Sequence, residues 1–227
     1  MTFAHLAFQR VVRSRSAWLA SAGWSAFILV AAGLQRSHAA PHGADHALDL
    51  YSSLALPLLV YALVGAAVGR GTLAGSGRAL VRLGGSSAHV ALATVVVTMA
   101  ASALVGGALG AGAVAVAHGS GDPPVVTDSI HTLAFGALAA AAYAAYFMVG
   151  ASLLAGFWGR ALFLVVDWVL GSDDGFGALL TPRGHLGNLL GGEAPFEALP
   201  WESLAALATI AVVCAALSVR RASLARV

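Results

Sequence analysis

Apolar positions in this chain run in long, nearly unbroken stretches rather than alternating with polar ones. A helix needs about 20 mostly apolar residues to cross the roughly 30 Å hydrocarbon core of a bilayer. Six stretches approach or reach that length, at approximately 17–34, 50–69, 90–117, 129–154, 161–177 and 199–219. The pattern predicts an all-α, polytopic membrane bundle of six transmembrane helices in a single transmembrane domain over 1–227. The fifth stretch is the weakest, because its apolar run stops at Gly171 and Asp173–Asp174 follow. A short, tilted or broken span is expected there. The sequence Gly-Phe-Trp-Gly-Arg at 156–160 supplies the turn before it, and Pro57 predicts a kink in the second span.

The start of the chain has a second reading. A basic leader, an apolar run and Ser-His-Ala-Ala at 37–40 resemble a secretory signal with its cleavage site. An apolar run of about 18 residues exceeds the usual 7–15 of such signals, so it is read as the first span. Within 2–16, polar His5, Gln9, Arg13 and Ser16 recur at helical spacing, away from Phe3, Leu6, Ala7 and Val11. That pattern suits an amphipathic helix lying in the headgroups, with arginines reaching anionic lipid. The plainer alternative is a basic leader that only sets topology.

Composition agrees with the pattern. Of 227 residues, 59% are apolar and 10% charged, against about 45–50% and 25% in soluble domains. A soluble enzyme, a disordered tail and a coiled coil are poor fits. All twelve basic residues are arginine. Without lysine the chain has neither a P-loop nor a Schiff-base nucleophile. Its one cysteine, Cys214, excludes an internal disulfide.

The near-neutral net charge of +2 hides an asymmetry. Six spans place both termini on one side, with the 70–89 loop and the 156–160 turn. That side carries Arg10, Arg13, Arg15, Arg70, Arg78, Arg82, Arg160, Arg220, Arg221 and Arg226 and no acid. The other carries Asp45, Asp49, Asp122, Asp128, Asp173, Asp174, Glu193, Glu197 and Glu202, with only Arg36 and Arg183. Arginine near short loops stays cytoplasmic, so both termini are expected inside.

Candidate chemistry is sparse. No Ser lies in a G-x-S-x-G elbow, no H-E-x-x-H occurs, and Asp174-Gly175 matches only the start of an alcohol phosphotransferase signature. The chain is not expected to be catalytic. In the first outer loop, His42 and His46 lie four apart beside Asp45 and Asp49, a set that can hold zinc or copper. Polar outer loops also tolerate histidine without any such role, and six outer histidines would equally make a pH-responsive surface. Asp167 is the single acid inside a span: a functional contact, or a hydrogen bond that packs helices. Ser102, Gly106 and Gly110 line one face of the third span, and Gly65 and Gly69 recur in the second. Such faces serve either a subunit interface or packing within the chain. Around 78–83, Leu80, Val81 and Leu83 stand beside Arg78 and Arg82, a short amphipathic patch suited to a groove on a cytoplasmic partner. The outer 172–200 segment carries a Leu186, Leu189, Leu190 stripe that would lie along or dip into the outer interface, and Trp201 follows as an interfacial aromatic.

In its order of features, the whole chain resembles the membrane-permease subunit of type-2 ABC exporters. The amphipathic leader, small outer loop, Gly71-Thr-Leu with the 78–87 segment, and the long 179–192 segment carry the resemblance. Within the last, Pro182, His185, Asn188 and Leu190-Gly191-Gly192 are most similar. The family's coupling region often carries acids and a proline, where this loop has arginines and Gly84-Gly85. The resemblance implies a multi-pass protein of the bacterial cytoplasmic membrane that forms an export pathway as a dimer. The second permease subunit would be an identical or sibling chain, and separate ABC ATPase subunits would bind ATP, so this chain holds no cofactor. Arg78, Leu80, Arg82 and Leu83 become the residues that couple to the ATPase, and 172–200 an outer re-entrant segment. Membrane lipid is the remaining expected partner, and nucleic acid is not one. The rival reading is a non-transport multispan protein that binds a metal or a partner through its histidine-bearing outer face.

Overall fold

A computed structural model describes residues 3–37, 43–119, 124–172 and 175–225, and these are predominantly helical with no strand among them. Helix α1 (Phe3–Val12) leads through a short elbow into α2 (Arg15–Ser37), whose first turn is capped by Ser14 accepting from the Ala17 amide at 3.3 Å. Helix α3 (Gly43–Leu50), a π-helical turn (Tyr51–Ala55) and α4 (Leu56–Val68) form one continuous rod. Two short helices follow, α5 (Leu73–Ser76) and α6 (Arg78–Arg82). The long hairpin α7 (Ser87–Ala117) and α8 (Val125–Leu153) comes next. After them stand α9 (Trp158–Leu170), α10 (Pro182–Leu189) between two 3₁₀ turns, and α11 (Pro200–Leu224).

Among the described residues, five helices are long and apolar enough to cross a membrane: α2, the rod through α4, α7, α8 and α11. They coincide with five of the six expected stretches. The fifth stretch folds as α9, and its 13 residues span only about 20 Å. The apolar sequence continues to Gly171, where a turn ends the helix.

The core lies between α7, α8, α4 and α11. Tyr51 is its wedge. Fully buried, it leaves the rod at the π-turn and donates from its hydroxyl to the Gly106 carbonyl of α7 at 2.8 Å. Its ring fills the space that side chains at Gly110 and Gly136 would take. The Ser102, Gly106, Gly110 face is thus consumed inside the chain, against Ala140, Leu56 and Thr132. A second close approach joins α8 to α9, where a Cβ on either Gly150 or Gly159 would collide with the other's backbone. Outward faces carry exposed Trp18, Leu19, Val30, Leu104, Val165, Val212 and Val213. Apolar surface on this scale is a liability in water and ordinary against hydrocarbon.

Pro57 has no N–H to give the carbonyl of Ser53, four residues back. The π-turn lies immediately before it, and the Trp168 indole of α9 donates to the Ser53 carbonyl at 3.1 Å. The expected kink is therefore a register change whose orphan acceptor ties the rod to α9.

Candidate functional site

One end of the bundle gathers α1, α5, α6 and the α8–α9 turn. Two arginines organise it. Arg10 of α1 donates to the Ser76 carbonyl through both terminal nitrogens at 3.1 Å, and to the Ala67 carbonyl at 3.3 Å. Arg160 of α9 is only 6% exposed. Its guanidinium packs on Gly65, sits 5.4 Å from the Tyr61 ring centroid and donates to the Gly69 carbonyl at 3.4 Å. Both cations serve carbonyls at or near the ends of α4 and α5, where helix dipoles present negative charge. In the sequence these two arginines read only as topology signals.

The α5–α6 pair is built onto this platform. The Thr72 hydroxyl accepts from the Gly75 amide at 3.1 Å to start α5, and Gly77 ends α5 and opens α6. A side chain at Gly77 would run into Val90 of α7, which fixes the pair closely on α7. Of the four expected coupling residues, Arg78, Arg82 and Leu83 project outward, Leu83 with 84% of its surface exposed. Leu80 is half-buried and turns inward, lining a crevice with Phe3, Leu6, Arg10 and Val90.

Deeper in the bundle, Asp167 is fully buried. The Tyr143 hydroxyl of α8 donates to its Oδ2 at 2.9 Å, and the Arg183 backbone amide donates to its Oδ1 at 3.3 Å. The latter contact matters locally, because Thr181 at the N-cap of α10 offers no side-chain cap. A carboxylate from α9 stands in for that cap and faces the positive end of α10.

Pro182, His185 and Asn188, expected on the outer side, all fall on α10. Pro182 opens the helix at a position that needs no N–H. His185 and Asn188 form a directed chain. Nε2 of His185 lies 3.0 Å from the Leu179 carbonyl, which only accepts, so Nε2 carries the proton and Nδ1 is bare. Ser203 of α11 then donates to Nδ1 at 3.2 Å, while Asn188 donates to the Ser203 oxygen at 2.9 Å and to the Ala198 carbonyl at 2.8 Å. Leu186 is fully buried, with Leu189 and Leu190 packed against the core. The leucine stripe that was expected along the outer interface thus faces the bundle.

His46 and Asp45 stand exposed on α3 and, with Asp49 and Ser52, border a cavity of about 330 Å³ opposite Gly187 and Gly191. His42 lies outside the described residues, as do Asp173 and Asp174. Among the described residues no three His, Cys, Asp or Glu side chains gather as a metal site would require. Compared with protein-family models, curated proteins and solved structures, the chain matches none of them.

Proposed function

We propose that this chain is the transmembrane subunit of an ATP-driven ABC exporter of the cytoplasmic membrane, working as a dimer with separate ATPase subunits. The observation that carries the reading is the α5–α6 pair. It is a capped element, anchored to α1 by Arg10 and to α7 at Gly77, and it presents Arg78, Arg82 and Leu83 away from the bundle. A rigid, basic projection with an exposed leucine suits a groove on a cytoplasmic partner. A chain without lysine takes its ATP-derived energy from another subunit. Both termini lie in the cytoplasm in this reading, and the fifth of six crossings is shared by α9 and the folded segment through α10. ATP drives the cycle only by binding more tightly when the membrane helices adopt one of two arrangements. Displacement of α5–α6 would reach α4 through Arg10, and Arg160 would carry it on to α9.

The test is ATP hydrolysis by the complex purified from native membranes through a tag on this chain. The wild-type complex hydrolyses ATP, and Arg78→Glu/Leu83→Asp reduces hydrolysis and ATPase recovery to background while the chain stays inserted. A wild-type preparation free of ATPase, or unchanged recovery with the variant, would falsify the reading. The rival metal-binding role rests on the His46, Asp45 cavity. It predicts tight zinc or copper binding that His42→Ala/His46→Ala abolishes.

A further inference from the structure

Beside the elbow between α1 and α2 lies an apolar cavity of about 420 Å³, walled by α1, α2, α4 and α7. It exists because α2 turns small residues, Ser21, Ala22 and Ser25, toward Leu63, Leu104 and Val105. From Ala17 to Ser25 it runs about 12 Å along α2. Phe8 and Val12 of α1 line it at the elbow. There the Trp18 indole donates to the Val12 carbonyl at 2.6 Å and holds the elbow closed. Arg13 and Arg15 are exposed in the chain between cavity-lining Val12 and Ala17. The sequence carries no acid before Asp45, and neither arginine pairs with a carboxylate among the described residues.

We infer that this cavity is a binding site for one anionic phospholipid, its acyl chain between α2 and α7 and its phosphate at Arg13 and Arg15. The inference needs the chain to reside in a bilayer and does not depend on transport. Three features favour this occupant. The cavity is apolar and extends about 12 Å along α2, as an acyl chain requires. The elbow that bounds it carries two exposed cations, Arg13 and Arg15, between lining Val12 and Ala17 and beside the positive end of the 23-residue α2, which suits a phosphodiester. A second copy docked here about a two-fold axis would bring four arginines together, so charge opposes self-association on this face.

The experiment equilibrates purified, delipidated chain in detergent with equal phosphatidylglycerol and phosphatidylcholine and counts retained lipids by native mass spectrometry. Wild type retains one phosphatidylglycerol in preference to phosphatidylcholine. Arg13→Gln/Arg15→Gln weakens that preference about thirtyfold, as expected for two surface cations. Arg10, Arg70, Arg78, Arg82 and Arg160 remain to set topology in that variant. Ser21→Leu/Ser25→Leu fills the cavity and removes retention of both lipids. Should the filled variant fail to fold, the arginine variant decides alone, its integrity checked by an unchanged thermal transition. Equal retention by wild type and the arginine variant overturns the site, as does a wild type without preference for the anionic lipid. A lipid-free dimer that the filled variant disrupts would also overturn it, by showing that a second copy occupies the cavity.

Discussion

Asp167 serves two donors from two different elements, the Tyr143 hydroxyl and the Arg183 amide, so its substitutions separate shape from charge. In Asp167→Asn the amide oxygen still accepts from Arg183 while its NH₂ faces the tyrosine oxygen. The expected loss is about 1 kcal/mol, one neutral hydrogen bond. Asp167→Leu strands both buried donors and costs about 2–6 kcal/mol, at 1–3 for each unsatisfied group. Thermal unfolding of the two variants in detergent checks the order, and equal destabilisation would remove the packing account. His185 bridges the Leu179 carbonyl and the Ser203 hydroxyl, so His185→Leu leaves both without the imidazole, and a loss of about 2–6 kcal/mol is expected in the same melt, at 1–3 for each unsatisfied group.

At the level of the helices, the π-turn before Pro57 and the indole of Trp168 form one device. Trp168→Phe keeps an aromatic ring but leaves the Ser53 carbonyl without the indole donor. A loss of about 1–3 kcal/mol is expected, with altered protection at the α4–α9 contact by hydrogen exchange. The neighbouring Gly136→Val drives a side chain into Tyr51 and separates α7 from α8, a larger loss measured in the same melt. The long helices were legible because hydrocarbon imposes a length, and α2, α7, α8 and α11 sit within a few residues of their apolar stretches. Tyr51, Arg10 and Arg160 were not legible in role, since each acts on a carbonyl of a residue at least 55 positions away. Periodicity within one segment carries no information on such pairs. For α10, sequence placed Pro182, His185 and Asn188 together, while the buried Leu186 reversed the expected direction of its apolar face.

For the whole molecule, the question is whether the short α9 leaves five crossings or six. Helix α8 meets α9 at Gly150 and Gly159, beside the arginine-rich end, whereas α11 begins against α10 at Ser203 and extends along α8 to reach α5. In the proposed six-crossing arrangement the chain between 153 and 200 travels from one end of the bundle to the other. Helix α9 covers the first part, to the depth of Ser53, and the segment through α10, capped by Asp167, covers the rest. On this path an irregular outer half is tolerable within a membrane where Asp167, His185 and Asn188 bond to Tyr143, Ser203 and backbone groups rather than facing lipid. Single cysteines placed on a Cys214→Ala background test the consequence. If both termini are cytoplasmic as proposed, residues 83, 157 and 224 should react with an impermeant maleimide only from the arginine-rich, cytoplasmic side, and residues 46, 128 and 196 only from the other. A five-crossing chain would put residues 157 and 224 on opposite faces, and the same labels would reveal it.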